Sequence, residues 1–397
     1  MNICLVRCPS PFLIDERMFP PLGLMAVATG LKQAGHTVTI HDGALEDVPL
    51  GLPYYGFGPT APEYPSALET LARIKRHNPT SRVVLGGPHA TINWQACLND
   101  PWDCVVAGDG ERVSEGAFLG GPSLIIAEDA NLDEYPIIDR SVLNIRSYHY
   151  QANGRPGTTM VSARGCPHAC AFCCKNHDHV RMMSASRAIE EVRYLRYGLG
   201  YDVLAFPEDI FILNRTRTED ICAALKVFGI EWRCLVRSDL VVRRGRDFLR
   251  MMAESGCKAV GIGVESGSNQ ILQTINKGET AETIMQSIRM LRAEGIRTRG
   301  FFVIGLPGET LETLAETERF LEEARLDEID AKIFQPYPGS PIWEHRERYD
   351  IQWNGQPMSS TFYKGKPGEY HGTISTSALT TQQIYDAWVH IERTYKK

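Results

Sequence analysis

The chain has 397 residues, of which 43% are hydrophobic and 23% charged, and a formal net charge of −6. That length accommodates two domains and a small appendage, and the acidic balance without any basic run excludes a protein that tracks a phosphate backbone. No stretch approaches the roughly 18 uninterrupted apolar residues of a spanning helix, and the apolar start, MNICLVRCPSP, is too short for a secretory signal. A cytoplasmic protein with neither membrane nor nucleic-acid partner is expected.

Residues 1–127 alternate between strand-like and helix-like segments. Strands are expected at 2–7, 37–41, 54–57, 82–87 and 103–108, with helices at 22–34, 63–77 and near 93–99. Gly35 supplies the stop after the first helix. This is the pattern of a doubly wound, Rossmann-like parallel α/β sheet, whose ligands bind outside the carboxyl ends of the strands. The loops at 8–11, 58–60, 86–89 and 108–111 are therefore the ones to watch. Residues 128–157, rich in acidic and turn residues and ending in a Gly/Pro break, read as a linker.

A second alternation runs from 158 to 341, with strands at 158–163, 202–207, 232–237, 259–264, 300–305 and 330–335. Helical segments fall at about 186–197, 218–227, 245–255, 268–275, 280–293 and 310–325. Six strand–helix units predict a partial (β/α)6 barrel of the TIM type, since a full one needs eight. Residues 342–397 form a C-terminal substrate or docking segment that ends in an amphipathic helix from about 381 to 395. Trp343, Tyr363, Tyr370, His371, Trp388 and the loop at 208–217 are candidates for substrate contact, with the aromatics of the last helix read as docking residues.

Of the eleven cysteines, Cys4, Cys97, Cys222, Cys234 and Cys257 sit among apolar or helical neighbours and read as core packing. Cys166-Pro-His-Ala-Cys170-Ala-Phe-Cys173 is different. It follows the first barrel strand directly, so its thiols fall at the mouth where barrel active sites lie. Three thiolates at this spacing wrap one corner of a [4Fe–4S] cubane and leave one iron open for a cosubstrate. A structural zinc would want a fourth ligand and a distant second pair, which the chain lacks. Cys174 directly follows Cys173 and points elsewhere.

On these residues the chain resembles the radical S-adenosylmethionine (SAM) superfamily. The resemblance implies that Cys166, Cys170 and Cys173 hold the cluster, that the methionyl amine and carboxylate of SAM chelate the open iron, and that Phe172 borders the adenine. It assigns the methionyl amine to Glu208 or Asp209, the ribose and carboxylate contacts to Arg237 and Ser238, and a polar contact to Glu265 in an ESG element. The glycines of that element are expected to let the backbone approach SAM. Gly305 is placed beside the adenine, whereas Glu309 is given no ligand role.

The first domain resembles the cobalamin-binding domain that precedes the barrel in many members. Its cobalamin-binding residues would be Pro20, Pro21, Leu22, Gly23, Gly58, Thr60, Gly86, Gly87, His89 and Gly108. The D-x-H-x-x-G motif whose histidine ligates cobalt elsewhere is absent, and His41-Asp42-Gly43 does not fit it. The resemblance therefore implies base-off cobalamin, with no cobalt-ligand role for His89. It implies a cobalamin-dependent methyltransferase that acts on an unactivated carbon through a 5′-deoxyadenosyl radical, served by a flavodoxin or ferredoxin and acting on a small molecule or a peptidyl residue. Alternatives are a non-methylating rearrangement, cyclisation or dehydration, and a non-catalytic iron–sulfur module. A methylthiotransferase would need a second three-cysteine cluster motif, a context that Cys4, Cys8, Cys97 and Cys104 lack.

Overall fold

The computed structural model describes residues 1–11, 13, 15–177, 179–355 and 372–396. They form two compact units: 1–149 with 175–177, and 150–174 with 179–355 and 372–396.

In the first unit, strands β1 (Asn2–Val6), β2 (Thr37–His41), β3 (Tyr54–Phe57), β4 (Arg82–Leu85), β5 (Cys104–Ala107) and β6 (Leu124–Ile126) form one parallel sheet in the order β2-β1-β3-β4-β5-β6. Helices α1 (Leu22–Gln33), α2 (Tyr64–His77), α3 (Gly87–Cys97) and α4 (Ser114–Phe118) connect them. Both faces of the sheet are covered, which is why the strands read as continuous apolar runs. Cys4, Val6, Tyr55, Phe57 and Leu85 point into one core, and Ile3, Leu5, Val84 and Cys104 into the other.

Two expectations shift here. Helix α3 starts at Gly87, immediately after β4, because Pro88 supplies a pre-set φ in its first turn; Asn93, near the expected start, is a kink (φ −115°). The stretch read as a linker does not stand free either. Residues 128–149 belong to the first unit, where the Tyr148 hydroxyl donates to Asp42, a carboxylate also held by Arg17 and, at 3.0 Å, by Arg7.

The second unit opens with β7 (Gln151–Ala152) antiparallel to β8 (Arg155–Thr159), followed by a two-residue ribbon of β9 (Ala163–Arg164) and β10 (Arg181–Met182). Then come α5 (Ala185–Arg193), β11 (Val203–Phe206), α6 (Arg215–Phe228), β12 (Glu231–Val236), α7 (Ser238–Arg244), α8 (Arg246–Glu254), β13 (Cys257–Glu265), α9 (Asn269–Thr274), α10 (Ala281–Ala293), β14 (Arg297–Ile304), α11 (Leu311–Ala324) and β15 (Glu328–Ile333). Strands β8, β11, β12, β13, β14 and β15 pair in parallel, in that order, as a curled half-barrel. The tail adds α12 (Pro341–Glu344), β16 (Gln352–Trp353), β17 (Ile374–Ser375) and α13 (Thr381–Tyr395).

The period of two sorts each strand's side chains. Trp232, Cys234, Val236, Val260, Ile262, Val264, Phe302 and Ile304 join the helices in one core. Residues of the other parity, among them Arg233, Leu235, Gly261, Gly263, Arg299 and Phe301, lie on the concave face. Helix α13 covers the open edge of the arc. Glu392 accepts from the Ala331 N–H (3.1 Å) and the Trp388 indole donates to the Ala331 carbonyl (3.0 Å), so both free edge groups of that residue are satisfied.

The first barrel strand ends at Thr159, short of the expected 163. The cause lies in Glu208, which draws the Ser162 N–H (2.6 Å) and the Ala163 N–H (3.1 Å) out of the ladder.

Candidate functional site

The cluster loop spans Met160 to Cys174, and the chain pins it from three sides. The Ala171 N–H donates to the Ile275 carbonyl (2.8 Å), the Asn276 side-chain amide to the Ala169 carbonyl (2.8 Å), and the Ile342 N–H to the Ala171 carbonyl (3.0 Å). Asn276 takes φ +52° to do so, a conformation that Asn tolerates better than most residues. Cys170 is buried, and Cys166 and Cys173 are half-buried.

Cys173 and Cys170 are within hydrogen-bond reach of each other. The Cys173 thiol holds its proton more tightly by donating, and Cys170, accepting it and facing Lys277 and Arg237, is lowered to about 6. Arg237 Nη1 stands 3.9 Å from Cys170 Sγ. Burial raises Cys166. A thiol poised as thiolate beside buried cations suits an iron–sulfur cluster, whose thiolate ligands each take a separate iron. Among the described residues no three His, Cys, Asp or Glu side chains converge on a single-ion site. Cys174 donates instead to the Tyr337 and Pro338 carbonyls (3.6 and 3.3 Å), away from the other three thiols.

Around this loop lies an ionic network that the sequence reading missed in part. Lys277, 6% exposed at its side chain, donates to Glu265 (2.8 Å) and faces Glu279 (3.7 Å), which in turn faces Arg237 (3.4 Å). Glu265 pays for its place with φ +64°, strain of about 1–3 kcal/mol for a residue with a side chain. Only its position twelve residues before Lys277, across one short helix, hinted at the pair.

The glycines of the ESG element make room for neighbouring side chains. A Cβ on Gly263 would sit 2.4 Å from Glu265 Oε1 and 2.9 Å from Lys277 Nζ. One on Gly267 would strike Phe320 and Thr317 of α11, and one on Gly261 would strike Phe301 and Leu235.

Glu208 and Asp209 divide sharply. Glu208 is buried, with both carboxylate oxygens accepting from Ser162, and Arg217 braces the same serine (2.7 Å). Asp209 is exposed and close enough to Cys166 to raise its thiol pKa. Phe172 is half-buried against the core. Ser238 is fully buried, its hydroxyl accepting from Ser287 of α10 (2.9 Å), which turns it into a helix-packing group. The middle of the loop at 208–217 goes inward, with Phe211 packed on Phe206 (4.6 Å) and Trp232 (5.1 Å), while Asp209 and residues 214–216 stay exposed. Trp343 lies under Arg346 (4.0 Å) and beside Trp353 (5.5 Å). Tyr363, Tyr370 and His371 fall outside the described residues.

Gly305 takes φ +89° and its N–H donates to Glu309; a Cβ there would meet Ile384 of α13 at 2.8 Å. Glu309 thus closes a turn. Burial pushes its carboxyl up to about 8, and its Oε1 has no hydrogen-bond partner. A folded-state pKa raised above the unfolded 4.5 means that the folded protein holds a proton that the unfolded chain releases. Stability should therefore fall as pH rises from about 4.5 to about 8 and level off beyond. Glu309→Gln removes that linkage. Its Tm relative to wild type should climb between pH 5 and pH 9 by an amount worth about 3–5 kcal/mol, and a pH-independent difference in thermal melts would refute this.

In the first unit, the predicted rim assembles at the carboxyl ends of the strands. The β3 and β4 ends touch: a Cβ on Gly87 (φ +81°) would lie 2.8 Å from the Gly58 backbone. Gly58 itself sits against Leu24, and Gly108 (φ +96°) against Ala127. Thr60 caps its turn with Glu63, and Pro21 opens α1 with no side-chain cap, after a buried Pro20 and ahead of Leu22 and an exposed Gly23. Gly86 precedes α3, again with no side-chain cap. His89 stacks on Tyr64 at 4.1 Å, and burial lowers its pKa to about 4, so it is neutral. His41 is hydrogen-bonded to the Ala44 carbonyl (2.8 Å) and Asp42 is fully engaged by Arg7, Arg17 and Tyr148, so neither is free for a metal. The order β2-β1-β3 makes a switch point between β1 and β3, where ligands of such sheets lie.

Residues 160–321 match the model of the radical SAM superfamily. The chain is 30% identical over 386 residues to the uncharacterized methyltransferase PH0819 of Pyrococcus horikoshii, covering 87% of this chain and 83% of that one. It is 28% identical over 320 residues to the anaerobic magnesium-protoporphyrin IX monomethyl ester cyclase of Cereibacter sphaeroides, covering 72% of this chain and 52% of that one. Its fold is similar to that of TsrM from Kitasatospora setae, a radical SAM methyltransferase solved with cobalamin and a [4Fe–4S] cluster, at TM-score 0.71 and 15% identity over 90% of this chain and 81% of that one. With the three-thiol loop at the mouth of a half-barrel, these likenesses establish that the chain is an enzyme of the radical SAM superfamily.

Proposed function

We propose that the protein is a cobalamin-dependent radical SAM C-methyltransferase acting on an unactivated carbon. The observation that carries this is the loop at 166–173, which offers three thiols, one of them acidified, beside the buried cations of Arg237 and Lys277. The side-chain-poor rim of Gly58, Gly86, Gly87 and Gly108, on a sheet of flavodoxin-like order, supports the corrinoid.

Cys166, Cys170 and Cys173 would hold the cluster. Asp209, exposed where Glu208 is buried against Ser162, would meet the methionyl ammonium, and Phe172 and Gly305 would flank the adenine. Arg237 and Glu265 present charge toward the polar parts of SAM, while Ser238 supports them from beneath by fixing α7 to α10. Bound in place, the cluster supplies the electron that cleaves SAM, and the corrinoid supplies the methyl group. The chain's part is to orient both and to keep the mouth electrostatically matched. The external one-electron donor would be a flavodoxin or ferredoxin.

Likeness to the cyclase favours a second reading, a non-methylating radical reaction in the same site. A methylthiotransferase has less support: Cys4, Cys8 and Cys97 are buried among the side chains of one core and Cys104 among those of the other.

Anaerobic reconstitution with iron, sulfide and cobalamin should yield one corrinoid per chain and reductant-dependent 5′-deoxyadenosine release. A chain that takes up iron but no corrinoid would leave only the second reading. Asp209→Asn should weaken SAM binding roughly tenfold with the melting temperature unchanged, whereas Glu208→Ala should cost about 2–4 kcal/mol by stranding the buried donors of Ser162 and Ala163. The reverse pattern in calorimetry would reassign the two carboxylates.

A further inference from the structure

The chain carries a net charge of −6, yet one face beside the cluster loop has the opposite sign. Helix α7 starts at Arg237, whose Nη1 stands 3.9 Å from Cys170 Sγ. Its seven residues rise only about 10 Å, so its far end stays close to the thiols. The last two of them are Arg243 and Arg244. Arg243 is exposed and has neither a carboxylate nor a hydrogen-bond acceptor among the described residues. Arg244 donates only to main-chain carbonyls, those of Ile212 (3.0 Å) and Leu213 (2.6 Å). Burial, then the neighbouring charges of Arg243 and Arg215, lower its pKa, and Arg215 and Arg244 both lie over the Phe248 ring (5.6 and 5.9 Å). The nearby carboxylates answer other cations: Asp239 pairs with Arg237 (3.1 Å) and Glu219 with Arg215 (2.8 Å). Glu294 serves both Arg246 (3.1 Å) and Arg250 (3.3 Å), and Asp247 stands 3.5 Å from Arg250. The charges of Arg243 and Arg244 are left over.

Resting on the cluster assignment above, we propose that this arginine face at the end of α7, centred on Arg243, is the docking surface for an acidic one-electron carrier protein. A cluster reduced from outside needs its donor close by, and an acidic carrier is repelled by most of an acidic chain. A local positive face beside the thiols meets both demands, because it steers the encounter and fixes its orientation. One electron leaves the reduced carrier and enters the cluster, which passes from the 2+ to the 1+ state; no bond and no proton changes place. Encounters of this kind are small and transient, so the attraction is screened by salt.

The test uses the reconstituted holoenzyme, with cluster reduction followed by rapid-freeze electron paramagnetic resonance. Three donors are compared: a reduced flavodoxin, a reduced ferredoxin, and the methyl viologen radical cation, a small donor that needs no positive docking face. At least one of the two proteins should reduce the wild-type cluster, about tenfold more slowly at about 0.5 M than at about 0.05 M salt. Arg243→Glu should slow that protein a further tenfold or so, whereas Arg243→Lys should keep the wild-type rate, since steering uses the charge alone. Arg319→Glu, at an exposed arginine of α11, should change nothing. Methyl viologen should reduce every variant at least as fast as wild type. Three results overturn the proposal: neither protein reducing a cluster that methyl viologen reduces, the carrier reducing Arg243→Glu at the wild-type rate, or Arg243→Glu slowing methyl viologen equally. Cluster reduction by the carrier with no 5′-deoxyadenosine released from SAM would sink the radical reading only.

Discussion

Cys166→Ala, Cys170→Ala and Cys173→Ala should each reconstitute with a small fraction of wild-type cluster iron and release no 5′-deoxyadenosine, while Cys174→Ala retains both. The expected loss exceeds the roughly 10–100-fold that outer-shell changes cost, because each thiolate is the sole protein bond to its iron. Cys174 is the informative control. It is adjacent in sequence and equally free, yet burial raises its thiol to about 11 and its Sγ is aimed at the Tyr337 and Pro338 carbonyls. A structural zinc site recruiting a fourth thiol would lose metal on Cys174→Ala, so unchanged iron in that variant separates the two chemistries. Iron retained in any of the other three would refute the assignment of ligands.

Lys277→Met should be the most destabilising single change at the mouth, by about 3–5 kcal/mol in denaturant unfolding of the apoprotein. The reason is the burial of its partners. With the ammonium gone, Glu265 and Glu279 remain in a desolvated site with only Arg237 to answer them, and Glu265 keeps a strained backbone that its ion pair had stabilised. Adding Glu265→Gln should recover a substantial part of the loss, since it removes the uncompensated charge and leaves a group that still fits under Gly263. Strict additivity of the two substitutions would show that the pair has no energetic coupling. Lys277→Met should also raise the Cys170 thiol pKa, readable as slower thiol alkylation near neutral pH, since Lys277 is one of the groups that lower it.

The physics of the strands made most of the fold legible in the sequence. Continuous apolar runs such as Tyr54–Phe57 and Cys104–Ala107 lie in a sheet covered on both faces, so their boundaries fall within a residue of the pattern. Helix ends marked by Gly35, Gly256, Gly295 or Thr280 held to within a residue or two for the same local reason. The three-cysteine loop was legible because its spacing is itself the chemical requirement.

What the sequence could not show was decided by contacts between residues far apart in the chain. Thr158 to Ala163 has the composition of a strand, but Glu208, more than forty positions on, takes the backbone donors of its last residues and turns them into the cluster loop. Glu208 and Asp209 are neighbours with the same charge, and only burial tells the buried brace from the exposed carboxylate. Phe211 reads as a loop aromatic until the aromatic core around Trp232 claims it. Lys277, unremarkable in its own segment, gains its role from Glu265 and Glu279. Local periodicity and ligand spacing are written within a few residues and survive any fold; electrostatic partnership and solvent exclusion exist only once the tertiary structure brings their members together.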